Sequence, residues 1–217
     1  MPNLVLVIGN KAYSSWSLRP WLLMKHAGIA FEEIRLSLYE EGAKQKILQV
    51  SVTGKVPVLK DGDLTIWDSL AICEYLAEKY PEKQLWPPEI AARACARSIS
   101  AEMHSGFTHL RTRMPMNVRR EITGRTRTDE VVAEVARIEA IWNDCRRRFG
   151  ARGAFLFGAF SIADAMYAPV VSRLRTYGVT LAGKAAEYAA SIHALPAMQE
   201  WIAGAHAETE VNPQYES

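Results

Sequence analysis

The sequence has few cysteines and none of the spacings that hold a metal ion or a disulfide framework. Cys73, Cys95 and Cys145 are scattered over 217 residues and form no CxxC pair. Isolated cysteines of this kind are typical of buried thiols. We therefore predict neither a metal site nor a set of disulfides.

Long apolar runs and a strong net charge are also lacking. No run approaches the roughly eighteen apolar residues that a membrane helix needs, and the N-terminus has neither the basic segment nor the small-residue cleavage site of a signal peptide. A cytoplasmic protein with no membrane partner is expected. The net charge of +2 is too small to indicate nucleic-acid binding. The Arg-rich stretch at 119–127 has no aromatic platforms nearby, so a solvated loop is expected there.

Motifs of several enzyme classes are absent as well. The sequence has no HExxH, no glycine-rich phosphate loop and no carboxylate pair suited to glycoside hydrolysis. Metalloprotease, nucleotide-binding and glycosidase functions are therefore without support. The composition, with 49% hydrophobic and 23% charged residues, is that of an ordinary globular protein long enough for two small domains.

The apolar pattern predicts mixed α/β structure at the start of the chain. Leu4 to Ile8 is a continuous apolar run typical of a buried central strand. A helix is predicted to follow as far as Ala27, with Gly28 as its terminator. Phe31 to Leu36 is a second strand, which gives a right-handed βαβ unit, and a short helix is expected at Ala43 to Leu48.

A hairpin and a third helix are predicted next, before a proline-rich linker. The Asp-Gly pair at 61–62 separates two short apolar runs and predicts two antiparallel strands. Asp68 and Ser69 precede a helical pattern that extends to Tyr80, as capping residues do. Prolines at 81, 87 and 88 resist helix continuation. We therefore place a first domain at residues 1–81 and an all-helical second domain at 88–217.

The second domain is expected to contain several amphipathic helices. One long helical pattern covers residues 89–113, where Arg111 faces either solvent or an acidic substrate. Another covers 129–149, and the Ser-Ile-Ala-Asp sequence from Ser161 to Asp164 predicts a capping box. The polar tail that begins at Glu208 is expected to be loosely held.

Three serines mark the turn between the first strand and the first helix. A serine at a helix start commonly accepts hydrogen bonds from the unpaired backbone N–H groups of the first turn. The same turn carries a partial positive charge, which favours bound anions. Ser14, Ser15 and Ser17 therefore form either a simple cap, the commoner case, or an anion site.

In combination, three motifs resemble the N-terminal domain of the cytosolic glutathione transferases. They are the serine turn, the Val56-Pro57 turn, and Asp68-Ser69 before Leu-Ala-Ile-Cys-Glu-Tyr-Leu. The serine turn is most similar to that of the zeta class, which reads Ser-Ser-Cys-Ser-x-Arg and includes maleylacetoacetate isomerases. Trp16 stands where that class has cysteine. The resemblance implies a thioredoxin-like α/β domain followed by an all-α domain, and a homodimer.

The resemblance also implies site residues. Ser14 would donate a hydrogen bond to the sulfur of glutathione, with Tyr13 and Ser15 as alternatives. The Val56 backbone, preceding a cis peptide bond, would pair with the cysteinyl residue of glutathione. The γ-glutamyl ammonium would go to Asp68 and the γ-glutamyl carboxylate to Ser69. The complete set of glutathione-binding candidates is Ser15, Lys44, Val56, Pro57, Asp68 and Ser69, although the sequence around Lys44 favours a solvated lysine.

These residues suggest a chemistry based on a thiolate. A free thiol has a pKa near 8.5, and a hydroxyl donor together with a helix start lowers that value. The predicted function is conjugation of glutathione to a small electrophilic substrate without a metal. Glutathione-dependent cis-trans isomerisation is one alternative, and a non-catalytic binding protein on the same fold is another.

Overall fold

One mixed sheet of four short strands organises the first third of the chain, in a computed structural model that describes residues 4–216. The strands are β1 (Leu4–Ile8), β2 (Glu32–Arg35), β3 (Val58–Asp61) and β4 (Leu64–Trp67). Their order is β2-β1-β3-β4, with β2 parallel to β1 and the other neighbours antiparallel. β1 occupies the interior of the sheet, which explains why its sequence is continuously apolar.

Three helices complete the α/β part of the chain. They are α1 (Ser15–His26), α2 (Ala43–Leu48) and α3 (Ser69–Lys79). Gly28, one residue beyond the C-cap of α1, has φ +64°, a conformation that favours glycine. The arrangement confirms the predicted thioredoxin-like α/β unit.

Six α-helices follow within the described residues and confirm the predicted all-α part. They are α4 (Ile90–Ser105), α5 (Thr108–Arg113), α6 (Asp129–Phe149), α7 (Ile162–Thr176), α8 (Gly183–His193) and α9 (Pro196–Ala207). α7 is buried along nearly its whole length and packs against both α1 and α4. It therefore joins the sheet-bearing part of the chain to the helical part.

The start of α7 has the predicted capping box. The Asp164 carboxylate accepts from the Ser161 backbone N–H at 2.8 Å and from the Leu156 N–H at 3.1 Å. Burial raises the pKa of Asp164 to about 6, against the hydrogen bonds that favour its anion. This aspartate serves the fold and lies outside the cavity described below.

The single helix predicted over residues 89–113 is wrong, because the chain breaks it into α4 and α5. Phe107 adopts a left-handed conformation with φ +57° at the break. A Cβ on Gly106 would stand 2.9 Å from the Glu102 carbonyl oxygen, so the glycine permits this close approach. The break turns α5 back toward the end of α4, which brings Arg111 next to the carbonyl groups there.

The expectation of a loose tail is also wrong, whereas the Arg-rich stretch at 119–127 is a largely exposed loop, as expected, in which Arg119 is only partly exposed. Residues 208–216, the C-terminal segment, are fastened to the turn that follows β1. The Glu208 carboxylate accepts from the backbone N–H groups of Lys11 and Ala12 at 2.6 and 3.0 Å. Arg119 donates to the Glu208 carbonyl at 2.7 Å. Backbone N–H groups in this turn need acceptors, and the Glu208 carboxylate supplies them.

None of the helices within residues 4–216 combines the length and apolar character needed to span a membrane. The same residues contain no group of three or more His, Cys, Asp or Glu side chains arranged to hold a metal ion.

Candidate functional site

A cavity of about 850 Å³ lies between the α/β part and the helical part. One wall consists of the serine turn, the turn before β3 and the start of α3. The opposite wall consists of the end of α4, α5, the segment after α5, α7 and the C-terminal segment. The lining residues used below are Tyr13, Ser14, Ser15, Trp16, Lys55, Val56, Pro57, Asp68, Ser69, His104, Arg111, Arg173 and Tyr215.

The serine turn does not act as a simple helix cap. Ser14 occupies the N-cap position of α1, but its side chain accepts no hydrogen bond from the backbone of that helix. Its hydroxyl instead donates to the Ser17 hydroxyl at 2.8 Å, and Ser17 accepts from the Gly9 N–H at 3.1 Å. Ser15 accepts from the Arg173 guanidinium at 3.0 Å. Of the three described serines that line the cavity, Ser14 is the one whose side chain is hydrogen-bonded to another hydroxyl, whereas Ser15 and Ser69 each accept from an arginine.

The Tyr13 hydroxyl is committed to the far wall and the C-terminal segment. It donates to the Glu216 carboxylate at 2.6 Å, and accepts from the Arg119 guanidinium at 2.6 Å and the Asn212 N–H at 3.2 Å. Burial and the bond to Glu216 raise the pKa of Tyr13, in spite of the opposing Asn212 and Arg119 contacts. Tyr13 therefore stays protonated at neutral pH, and its O–H donates a hydrogen bond to a carboxylate of its own chain.

The start of α3 places a carboxylate and a hydroxyl side by side in the cavity. One oxygen of Asp68, Oδ1, accepts from the N–H groups of Leu70 and Ala71 at 2.9 and 3.2 Å. The other, Oδ2, lies 3.2 Å from Nε2 of His104 on α4. Ser69 is buried, and its hydroxyl accepts from the Arg19 guanidinium at 3.2 Å.

Three arginines lie at or beneath the cavity floor, although their charges are largely buried. Burial, followed by the nearby Arg111 and Arg173, lowers the pKa of Arg19 to about 9. Burial and Arg111 likewise lower the pKa of Arg173 to about 10. The indole ring centroid of Trp16 lies 4.2 Å from Cζ of Arg19 and 4.8 Å from Cζ of Arg111. Trp16 thus makes cation–π contacts with two of these arginines.

Arg111 is not a simply solvated arginine, because it lines the cavity and is hydrogen-bonded to its own chain. Its guanidinium donates to the carbonyl groups of Met103, His104 and Gly106, which end α4. Burial lowers its pKa. It therefore satisfies the open carbonyl groups of a helix C-terminus and presents only part of its charge to the cavity.

Most of the predicted site residues come together, and one does not. Ser14, Ser15, Val56, Pro57, Asp68 and Ser69 all line the cavity, and the Val56-Pro57 peptide bond is cis as the resemblance implied. Lys44 is exposed on α2 and is not among the lining residues, whereas Lys55 is.

Among the lining residues that were not predicted from the sequence are His104, Arg173 and Trp16. Arg173 had only a weak signal, because it lies in the last turn of α7, where basic residues are common, and it is its burial that sets it apart. His104 and Trp16 had none, since the contacts that matter reach across the two parts of the chain.

Comparison with known proteins identifies the relatives of this chain. Residues 13–79 match the family model for the glutathione S-transferase N-terminal domain, and residues 125–204 match the model for the C-terminal domain. Together the two models match more than half of the chain.

Individual relatives agree with this result. A probable maleylacetoacetate isomerase of Caenorhabditis elegans is 36% identical over 96 residues, which cover 44% of this chain and 44% of that protein. The chain thus spans less than half of that relative's length. Glutathione S-transferase 4 of Zea mays is 28% identical over 206 residues, covering 91% of this chain and 88% of that protein. A crystal structure of a glutathione transferase homolog from Burkholderia gl BGR1 with bound glutathione aligns with a TM-score of 0.68 at 25% identity, covering 94% of this chain and 99% of that one.

Proposed function

Because the chain belongs to the glutathione S-transferase family, we propose that it binds glutathione in this cavity and adds the thiolate to a small electrophile that carries an anionic group. The observation that carries the proposal is the distribution of charge along the cavity wall. Asp68 is the sole carboxylate among the described lining residues, and it lies on the α/β side. The cationic side chains among the same lining residues are Lys55, Arg111 and Arg173.

This distribution complements the charges of glutathione. At neutral pH the tripeptide has one ammonium and two carboxylates, and the ammonium needs an anion. Asp68 supplies that anion, while the Ser69 hydroxyl and the N-terminus of α3 receive the neighbouring γ-glutamyl carboxylate. The Val56 backbone lines the same wall and would pair with the cysteinyl residue. Lys55, and not Lys44 as predicted from the sequence, is the lysine that would contact glutathione.

Ser14 is the hydroxyl that we assign to the thiol. Tyr13 and Ser15 are both engaged by charged groups, Glu216 and Arg173 respectively. The pair formed by Ser14 and Ser17 can reverse its direction without losing a hydrogen bond. If Ser14 turns its O–H toward sulfur, the Ser17 O–H donates to Ser14, and the Ser17 oxygen still accepts from the Gly9 N–H. A donated hydrogen bond stabilises the thiolate over the thiol.

Arg173 is the basis for an anionic electrophile. Its guanidinium lines the cavity, is about 5% exposed, and donates to the Met114 carbonyl and to Ser15. Within residues 4–216 it has no ion pair with a carboxylate, although a buried cation is costly without one. A carboxylate on the substrate would supply the missing charge and orient the electrophilic carbon toward the thiolate.

The test compares matched electrophiles. Conjugation is measured with an α,β-unsaturated carboxylate and with its primary amide, which has the same shape but no charge. We expect kcat/KM per unit of intrinsic reactivity to favour the acid by about tenfold or more, in line with a charge-assisted contact. The preference should vanish in Arg173→Gln and persist in Arg175→Gln, which changes an exposed arginine of α7. A preference for the amide in the unmodified protein would contradict an anion site.

Isomerisation is the second candidate, favoured by the 36% identity to a probable maleylacetoacetate isomerase. In that reaction the thiolate adds to a carbon–carbon double bond, the new single bond rotates, and elimination returns the thiolate with a trans double bond. Glutathione is therefore not consumed. A cis-unsaturated diacid incubated with the protein and glutathione separates the two reactions, because loss of free thiol indicates conjugation and a trans product at constant thiol indicates isomerisation.

A further inference from the structure

We propose that His104 is a positioning residue that acts through Asp68: its ring N–H holds the carboxylate in the orientation that receives the γ-glutamyl ammonium. The inference rests on the proposed function, because it assumes that glutathione occupies the cavity. It adds to the site a residue from the helical part of the chain, which lines the cavity and contacts Asp68 directly.

The two carboxylate oxygens of Asp68 have different partners. Oδ1 is used by the start of α3, where it accepts from the N–H groups of Leu70 and Ala71. Oδ2 has His104 Nε2 at 3.2 Å. The Asp68 side chain is 41% exposed. One oxygen therefore fixes the carboxylate to its helix, and the other keeps a lone pair directed at the cavity beside the imidazole.

The imidazole of His104 is itself held in place by its neighbours. Its ring lies edge-on to Trp16, with ring centroids 5.2 Å apart and planes at 81°. The His104 carbonyl accepts from Arg111 at 3.4 Å. Nδ1 is buried and has no hydrogen-bond partner among the described residues, whereas Nε2 lies 3.2 Å from Asp68 Oδ2, so Nε2 is the ring nitrogen that contacts the carboxylate. The imidazole is fixed from its ring and from its backbone.

The surroundings of His104 favour its neutral form. The charged groups that face His104 are Asp68 from α3, Arg19 from α1 and Arg111 from α5. Burial and the two arginines lower the pKa of His104 below its ordinary value, against the opposing effect of Asp68. A neutral imidazole donates a hydrogen bond and leaves the negative charge of Asp68 for the ammonium. A protonated imidazole would pair with that charge and compete with the ligand.

The experiment compares glutathione with an analogue that lacks the α-amino group, glutaryl-cysteinyl-glycine, by calorimetry. His104→Ala should weaken glutathione binding by about three- to tenfold, the range of one ordinary hydrogen bond, and leave binding of the analogue unchanged. His104→Gln retains a side-chain N–H and should restore most of the loss. His109→Ala, which changes an exposed histidine on α5, is the matched control.

A pH series adds a readout that a purely structural role would not affect. The glutathione Kd of the unmodified protein should rise as the pH falls through the lowered pKa of His104, and this rise should disappear in His104→Gln. Equal weakening of both ligands in His104→Ala and His104→Gln would overturn the proposal and make the histidine part of the cavity shape only. Unchanged glutathione affinity in both variants would also overturn it. Failure of the unmodified protein to bind glutathione would instead contradict the proposed function.

Discussion

Replacement of Ser14 by alanine tests the assignment of the thiol donor. The substitution removes a buried hydroxyl whose only described partner is the Ser17 hydroxyl, and it leaves the backbone of the turn intact. A hydrogen bond to an anion contributes about 1.5–3 kcal/mol, and one pKa unit corresponds to about 1.4 kcal/mol. The pKa of the bound thiol should therefore rise by about one to two units in Ser14→Ala.

The assay is the ultraviolet absorbance of the thiolate against pH, recorded on protein saturated with glutathione. Affinity for glutathione should change little, because most proposed contacts lie at Val56, Asp68 and Ser69. At neutral pH the conjugation rate should fall by about tenfold or more, following the thiolate fraction, and recover as the pH rises past the new pKa.

Two matched variants decide what an unexpected result means. Tyr13→Phe and Ser15→Ala each remove a hydroxyl that is engaged by a charged group, so neither should shift the thiolate titration. An unchanged titration in Ser14→Ala together with a shift in one of the other two would refute the assignment and move the role to that neighbour. If none of the three shifts it, the backbone N–H groups of the turn stabilise the thiolate alone.

Three further predictions concern the fold and assembly. Glu208→Gln replaces one of two acceptor oxygens by an amide donor facing the Lys11 or Ala12 N–H, and should lower the free energy of unfolding by about 1–3 kcal/mol in urea titrations, with Glu200→Gln as the exposed control. The Asp164 pKa of about 6 exceeds the unfolded value of 3.8, so its contribution to stability is greatest below about pH 4 and falls by up to about 2–3 kcal/mol as the pH rises to 6. The stability difference between the unmodified protein and Asp164→Asn should shrink over that interval. Sedimentation should give twice the mass of one chain, since we propose a homodimer.

Each of these three predictions would be contradicted by a specific result. A Glu208 variant as stable as the control would mean that the C-terminal segment adds nothing to the fold. A stability difference for Asp164 that grows with pH would reverse the sign of its linkage. A single-chain mass at micromolar concentration would contradict the homodimer.

The sequence was sufficient where local patterns and the final structure agree. The apolar run of β1, the amphipathic period of α6 and the capping box at Ser161 are determined by residues close together in the chain, and the structure confirms all three. The resemblance supplied the cis Val56-Pro57 bond, which local propensity alone argues against.

The failures involve contacts between distant residues. Nothing near Glu208 indicates that its carboxylate would meet backbone N–H groups nearly two hundred residues earlier in the chain. The partner of Asp68 lies on another helix, so His104 carried no local signal. Gly106 was a visible signal for a helix break, but helical periodicity on both sides of it favoured continuation. Lys44 has the right charge on the wrong element, because the cavity is lined by Lys55 in the turn that follows α2.

The central claim is that glutathione is held by Asp68 and Ser69, and calorimetry of glutathione binding tests it most directly. We predict saturable binding of one glutathione per chain to the unmodified protein. Asp68→Asn and Ser69→Ala should each weaken it by about tenfold or more, the loss of one charge-assisted contact, with the fold retained by circular dichroism. Absence of binding to the unmodified protein, or equal affinity in all three proteins, would contradict the account.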